Sequence, residues 1–154
     1  MLIYLPTKRH IMVMHDAILD ISGGRRGILD EAVIDAAIHR PKTYLAYHEE
    51  CTIHTVCAVL LDSIARNHAF ADGNKRTGLM TAILTYELNN IPLRSGADAT
   101  DEFENLVLWV VLKKPSIEEV SNKLEGLMNR YRDKSISGFA KKLRGILIPY
   151  DSDK

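Results

Sequence analysis

The sequence predicts an all-α fold with one small β-hairpin flap. Apolar residues recur at three- and four-residue spacings along most of the 154 residues, which is the period of an amphipathic helix. Glycine, proline and asparagine breakers divide this pattern into six or seven helices. Only residues 41–47 gather β-branched, aromatic and apolar side chains into a short strand-like run. Little strand signal among many helices indicates a helix-on-helix architecture.

The first two helices are bounded by clear start and stop signals. An apolar stripe runs over about residues 8–21 and ends at the glycine pair Gly23-Gly24. Asp30 can cap the second helix. We expect this helix to close before Pro41, because the residue preceding a proline avoids the helical conformation.

The segment 41–47 is the predicted flap. Thr43, Tyr44 and Leu45 lie at its centre, and β-branched and aromatic residues favour strands. We expect an extended ribbon here.

The next two helices are expected to form the core pair. Residues 52–67 are apolar on nearly every side, as in a helix buried all round. Residues 74–88 follow after a short loop. Ser116 and Glu119 form a capping box at a later helix start. The remaining helices are predicted over 100–112, 116–132 and, as a shorter basic segment, 135–145.

The length of the chain restricts the number of domains, and its charge restricts the kinds of partner. With 154 residues and 46% hydrophobic content, the chain is expected to form one domain over residues 1–132, followed by a basic extension over 133–154. Twenty Lys and Arg balance 20 Asp and Glu. Because its net charge is zero, the protein as a whole does not attract nucleic acid or anionic membrane, so any positively charged site must be local.

The sequence predicts a cytoplasmic protein without a membrane span. Cys51 and Cys57 lie too close together in sequence for a disulfide that would stabilise the fold, and a chain of this size does not need one. The N-terminus places apolar residues before Lys8, the reverse of a signal peptide. The longest apolar run, 106–112, is far shorter than the roughly twenty residues of a span.

The loop before the second core helix breaks a rule of helix design. Lys75 and Arg76 lie in the first turn, where the helix dipole is positive and an exposed cation costs about 0.3–1 kcal/mol. A bound phosphate would reverse that cost, because backbone N–H groups, a guanidinium and an ammonium converge on it. Gly73 permits close backbone approach and Asn74 can donate an amide hydrogen bond. The sequence therefore predicts a phosphate site.

Two further side chains add chemistry to this phosphate site. Asp72 is a hard oxygen ligand beside the predicted anion cradle, which suits Mg²⁺ when waters and phosphates complete its shell. His68 carries an imidazole, the side chain that most often serves as a general base, and can accept a proton from a hydroxyl nucleophile. The alternative is structural: Asp72 as an N-cap, His68 as a residue at a helix end, and Phe70 as a core plug. That alternative gives Lys75 and Arg76 in the first turn no structural role.

The loop resembles the Fic motif, and its Lys-Arg-Thr continuation resembles the death-on-curing (Doc) branch of that family. The resemblance spans roughly residues 8–132. It implies a helical domain with a flap, and enzymes that transfer part of a nucleotide to a protein hydroxyl: AMP in most members, and a phosphoryl group from ATP in the Doc branch. The matching positions are His68, Phe70, Asp72, Gly73, Asn74 and Arg76.

Roles follow from this resemblance residue by residue. His68 would be the general base and Asp72 the Mg²⁺ ligand. Asn74, Lys75 and Arg76 would hold the phosphates of ATP. Arg66, two residues before the histidine, matches the family more weakly and has two interpretations, as a nucleotide contact or as a surface residue. The flap residues Thr43, Tyr44 and Leu45 would hold the target segment by strand addition.

Two departures bear on the group that is transferred. AMP-transferring members carry a second arginine where this chain has Leu79, which favours phosphoryl transfer. Gly73 follows the AMP-transfer pattern, where the Doc branch tends to have alanine. The choice between the two reactions is therefore open at the level of sequence.

The sequence allows two ways in which such an enzyme would be kept inactive: by a glutamate of its own chain or by a separate protein. A Ser or Thr, three residues, Glu, then Gly or Asn marks self-inhibiting members, and both Glu125 and Glu104 fit that spacing. Two matches in a short chain show that the pattern is permissive. The Doc branch is instead blocked by a small separate antitoxin, which is the default expectation here.

Three alternative hypotheses concern the groove, the basic stretch near the C-terminus and a set of His and Cys residues. The same groove in a non-catalytic module would hold an antitoxin helix or a phosphorylated ligand, although such a module has no need of both His68 and Asp72. The basic stretch 130–144 could bind RNA, but a solvated helix face is the commoner explanation. His48, Cys51, His54 and Cys57 have metal-ligand spacing, yet Cys57 on an apolar helix face favours a core cysteine.

Overall fold

Six α-helices build the part of the chain that the computed structural model describes, residues 2–93 and 97–132. The helical prediction is confirmed there. The basic segment predicted at 135–145 lies outside these residues. The helices are α1 (Lys8–Ser22), α2 (Glu31–Tyr47), α3 (Ile53–Arg66), α4 (Asn74–Leu88), α5 (Ala97–Lys113) and α6 (Ile117–Tyr131).

The predicted core pair, α3 and α4, lies at the centre. Every α3 residue from Thr55 to Ala65 is buried, because α2, α4, α5 and α6 all pack around this helix. The two central helices touch at Gly78, where an added Cβ would lie 2.9 Å from the backbone nitrogen of Ala65. This contact brings the end of α3 and the start of α4 to the same end of the molecule.

The apolar core has two parts, and the smaller one positions the motif loop. The larger part is formed by α3, α4, α5 and α6. The smaller part gathers Ile11 of α1, Ile34 of α2 and Ile64 of α3 around Phe70. Phe70 is 1% exposed, so the loop between α3 and α4 is anchored by its own aromatic side chain.

Helix starts are capped by local hydrogen bonds, as the sequence predicted for Asp30 and Ser116. Thr52 and Ser116 each form a reciprocal capping box with the residue three positions later. Asp30 accepts a hydrogen bond from the backbone of Ala32 and so caps α2. The helix α5 begins at Ala97, earlier than the predicted start at residue 100.

The predicted flap is wrong, because residues 41–47 continue α2 as a helix. Thr43, Tyr44 and Leu45 are helical, and Pro41 lies inside the helix. A proline in a helix interior costs about 3 kcal/mol. Here Ile34, Ala37 and Pro41 are buried on one face at three- and four-residue spacing, and that packing offsets the cost.

Extended pairing in the described residues is limited to two isolated antiparallel bridges. One joins Ile28 to Phe70, and the other joins Leu93 to Arg132. The first bridge lies in the motif loop and connects it to the segment between α1 and α2. None of the helices in the described ranges is both long and apolar enough to cross a membrane.

Candidate active site

A groove of about 530 Å³ opens where α3 ends and α4 begins, and the end of α5 closes one side of it. This volume is within the range of about 300–1,000 Å³ found for ligand pockets. All six motif-region residues predicted for catalysis and nucleotide binding line it. The lining residues are Ala65, Arg66, Asn67, His68, Ala71, Asp72, Gly73, Asn74, Lys75, Arg76, Val111 and Lys114. The flap residues 43–45 are not among them.

The segment between α1 and α2 holds one edge of the motif loop. The Ala69 carbonyl accepts hydrogen bonds from the backbone N–H groups of Leu29 and Asp30, at 2.8 and 3.2 Å. The Ala71 N–H donates to the Gly27 carbonyl at 2.9 Å. Because these bonds flank the Ile28 and Phe70 pair, the loop has a fixed backbone path on both sides of the aromatic anchor.

Asn74 closes the loop from the other side. Its Oδ1 accepts from the Phe70 N–H at 3.0 Å, and its Nδ2 donates to the Phe70 carbonyl at 2.9 Å. Both polar atoms of the carboxamide are therefore engaged with one backbone unit. The side chain therefore shapes the loop, its predicted phosphate contact stays a prediction because Nδ2 has a second hydrogen to donate, and the Asn74 backbone N–H belongs to the first turn of α4.

His68 lies at the turn out of α3 with an exposed side chain. Its φ of 42° falls in the left-handed region, which non-glycine residues adopt at a cost and which is enriched at functional sites. The surrounding bonds of Ala69 fix this conformation. The imidazole is thereby presented to the groove, as a proton acceptor requires.

The carboxylate of Asp72 is fixed on two backbone donors. Oδ2 accepts from the Arg25 N–H at 3.1 Å, and Oδ1 accepts from the Gly73 N–H at 2.7 Å. These bonds, with the positive charge of Arg76, lower the pKa of the Asp72 carboxyl below its usual value. The side chain is 46% exposed, so an ionised oxygen ligand faces the groove.

The start of α4 is open. Its N-cap is Gly73, with φ 79° in the left-handed region and no side chain to bond the first-turn N–H groups. Free N–H groups at a helix start form an anion site. Lys75 is exposed beside them, which places an ammonium at the same end of the helix.

Arg76 connects the start of α4 to the end of α1. Its guanidinium donates to the Ser22 hydroxyl and to the Gly23 carbonyl, the latter at 2.9 Å, and lies 3.6 Å from a carboxylate oxygen of Asp72. Its side chain is still 38% exposed. Arg76, which was predicted to bind phosphate, is thus oriented by contacts at the end of α1, and part of its side chain stays exposed at the groove.

Arg66 belongs to a charged cluster on the opposite wall. It donates to Asp62 at 2.8 Å, and Arg40 donates to the same carboxylate at 2.6 Å and to Ser63 at 2.8 Å. The Asp62 side chain is only 6% exposed. A buried carboxylate with two guanidinium partners keeps Arg66 at the groove wall.

One residue that the motif does not include contacts the loop most closely. His15 of α1 is 1% exposed, stacks on Phe70 with ring centroids 3.7 Å apart and bonds the Asp72 carbonyl through Nε2 at 2.8 Å. Its signal in the sequence is a histidine within the apolar stripe of α1. That stripe alone does not reveal the loop as its partner.

Neither candidate restraint glutamate lines the groove. Glu104 is exposed on α5. Glu125 interacts electrostatically with His54 and Tyr86, where burial lowers the pKa of His54. His54 and His68 are separated by the length of α3, about 20 Å at 1.5 Å per residue. The structure therefore places Glu125 at the far end of the core pair.

The metal hypothesis for the four His and Cys residues is not supported. Within residues 2–93 and 97–132, no group of three or more His, Cys, Asp or Glu side chains is arranged to hold a metal ion. Cys57 is fully buried and donates to the Ala82 carbonyl at 3.5 Å. It is a core cysteine, and burial raises the pKa of its thiol.

Comparison with known proteins agrees with this geometry. The protein named Protein kinase doc of Escherichia phage P1 is 30% identical over 117 residues, which cover 76% of this chain and 90% of that protein. The Toxin Doc of Mycolicibacterium smegmatis is 32% identical over 105 residues, covering 68% and 80%. The model of the Fic/DOC family matches residues 5–86, from α1 to the end of the helix that follows the motif. The chain therefore belongs to the Fic/DOC family and is similar to its Doc toxins.

Proposed function

We propose that this chain is a toxin enzyme that transfers the terminal phosphoryl group of ATP to a hydroxyl of a target protein. The observation that carries the proposal is the open start of α4, which faces the same groove as His68. Two relatives of similar length, one named a protein kinase and one a toxin, support it. AMP transfer by the same groove is the alternative that Gly73 favours.

ATP and Mg²⁺ fit the donors that line the groove. Asp72 offers an ionised, part-exposed carboxylate, and a single protein ligand suits Mg²⁺ when phosphates and waters complete its shell. The N–H groups at the start of α4, with Lys75 and Arg76, would hold the phosphates. Arg66 would approach from the opposite wall. Mg²⁺ supplies neutralisation of the charge on the transferred group.

The chemical step assigned to the chain is proton removal. As the target oxygen bonds to the γ-phosphorus, the bond from that phosphorus to the oxygen of the leaving ADP breaks. His68 takes the hydroxyl proton through a free ring nitrogen. Lys75 and Arg76 stabilise the charge that develops on the phosphoryl oxygens. The products are a phosphorylated target, ADP and one proton held by the chain.

The segment at Ile28 supports a docking edge for the target. Hydrogen bonds lie on either side of the Ile28 and Phe70 pair, so the N–H and C=O of Ile28 point away from the motif loop. The side chains of Ile28 and Leu29 are 42% and 65% exposed. Strand addition to this edge would bring a target segment beside His68, the role that the sequence predicted for residues 43–45.

Restraint of the toxin is assigned to a separate antitoxin. The position of Glu125 at the far end of α3 supports this assignment, because an inhibitory side chain must reach the start of α4. A small protein that covers the groove would block nucleotide and target together.

Isotope placement tests the reaction. The protein and a bacterial cell extract are incubated with Mg²⁺ and ATP labelled at either the α- or the γ-phosphate. We expect protein-bound label from γ-labelled ATP only. Label from α-labelled ATP would replace the proposal by AMP transfer, and label from neither, while ATP binds, would overturn the enzymatic assignment.

The variant His68→Ala tests the proton acceptor. We expect transfer to fall about 10²–10⁴-fold, the usual contribution of a general base, with ATP affinity and melting temperature unchanged. His39→Ala is the matched control, since His39 is exposed on α2 and does not line the groove. Equal transfer by the two variants would exclude His68 as the base.

A further inference from the structure

We propose that His15 is a positioning residue that sets the place of the Asp72 carboxylate from beneath the motif loop. The proposal rests on the proposed function for its link to Mg²⁺, but its structural part concerns the ligand-free protein. It assigns a role to α1, a helix that supplies none of the groove-lining residues.

The first step is the bond between His15 and the Asp72 carbonyl. A carbonyl oxygen only accepts, so Nε2 of the buried ring donates at 2.8 Å. The same peptide group carries the N–H of Gly73, which donates to Oδ1 of Asp72 at 2.7 Å. Because a peptide group is planar, a fixed carbonyl fixes that N–H as well. The imidazole thus orients the carboxylate through one rigid unit.

The second step is the fit of the ring under the loop. His15 and Phe70 stack with an interplanar angle of 9°. A Cβ added to Gly73 would lie 3.5 Å from Nε2, in ordinary contact. Asp16 lies 3.3 Å from Nδ1 and Leu19 packs beside Gly73. The ring therefore contacts Phe70 and Asp72 and lies beside Gly73.

Two substitutions separate the hydrogen bond from the stack. His15→Phe keeps a flat ring against Phe70 and removes the donor. His15→Gln keeps an amide donor near the position of Nε2 and removes the ring. His10→Gln is the matched control: His10 is also buried on α1, and its Nδ1 accepts from the Thr7 N–H at the helix start, away from the loop.

Amide hydrogen exchange in the ligand-free protein is the first measurement. For His15→Phe we expect faster exchange over residues 69–74, and for His15→Gln an intermediate rate. For His10→Gln we expect faster exchange only at the start of α1. An unchanged rate over 69–74 in His15→Phe would overturn the proposal, whether or not the protein transfers phosphate.

The Mg²⁺ dependence of transfer is the second measurement. We expect His15→Phe to need about 10–100-fold more Mg²⁺ for half-maximal transfer, the usual effect of removing a group that orients a ligand, with the KM for ATP at saturating Mg²⁺ little changed. His15→Gln should recover part of the loss. A wild-type Mg²⁺ requirement in His15→Phe, with only a lower melting temperature, would reduce His15 to a packing residue. Absence of transfer in the wild type would reject the proposed function and leave the exchange result to decide this one.

Discussion

The two central helices begin in opposite ways. At the start of α3, Thr52 and Thr55 exchange hydrogen bonds between side chain and backbone, and the Thr55 hydroxyl lies 3.5 Å from that of Ser121 on α6. At the start of α4, Gly73 has no side chain to offer, and Lys75 and Arg76 add positive charge to an already positive end.

The difference separates a structural helix start from a ligand site. At the start of α3 the N–H groups of Thr52 and Thr55 have side-chain partners, so that start contributes stability. The first-turn N–H groups of α4 face a groove. Helix starts in one protein can therefore be ranked as candidate anion sites by asking which of them the chain leaves uncapped.

The largest effect in this comparison is expected from distorting the open start with Gly73→Val, because a β-branched residue, larger than the alanine that the Doc branch tends to carry there, is strongly disfavoured at a φ of 79°. A left-handed conformation costs a residue with a Cβ about 1–2 kcal/mol, and the new atom would lie 3.3 Å from Leu19. We expect the loop to shift and transfer to fall about hundredfold, as misplacements near 1 Å can cause. Transfer kinetics and thermal unfolding measure the two effects.

The matched change at the capped start is Thr52→Ala. It should lower the free energy of unfolding by about 1 kcal/mol and leave the rate of transfer unchanged. Equal losses of transfer in the two variants would show that the two helix starts do not differ in function.

A smaller effect is expected from Lys75→Glu, which should raise the stability of the protein while it weakens ATP binding. In the ligand-free protein a carboxylate at the start of α4 should raise the free energy of unfolding by about 0.3–1 kcal/mol. ATP affinity should fall about tenfold or more, because a charge-assisted hydrogen bond worth about 1.5–3 kcal/mol is lost. Calorimetry of unfolding and of ATP binding gives both numbers, and tighter ATP binding would contradict the phosphate role.

The smallest effect concerns the pH dependence of stability at Asp72. The folded-state pKa of this carboxyl lies below its ordinary value of 3.8, so its stabilising contribution is present above that value and is lost as pH falls through the folded-state pKa. In denaturant titrations from pH 6 to pH 2, the advantage of wild type over Asp72→Asn should therefore shrink on acidification. An advantage that grows toward low pH would contradict the assigned bonds.

Local signals allowed the sequence to predict most of this helical framework. The bounds of α4 and the caps at Asp30 and Ser116 depend on residues within one turn, and each was predicted correctly. The groove followed from charges placed against a helix dipole, which is also a local property. For Lys75 and Arg76, the sequence therefore indicated their position at the groove, and their phosphate role stays a prediction.

Tertiary packing decided what the sequence could not. Proline at position 41 predicts a helix end, yet its burial on the same face as Ile34 and Ala37 extends the helix. The carboxamide of Asn74 can serve a phosphate or a backbone, and only the fold shows both of its atoms on Phe70. The contact of His15 with Asp72 joins residues 57 positions apart, so no local pattern contains it.

The wall that α5 contributes to the groove has a consequence for how such proteins diversify. Val111 of α5 and Lys114, which directly follows α5, line the groove, and both lie beyond residues 5–86, where the family model matches. Substitution at these two positions can change which molecules enter while the reactive loop keeps its sequence. The residues that control entry to this side of the groove thus lie on a segment of the chain apart from the reactive loop.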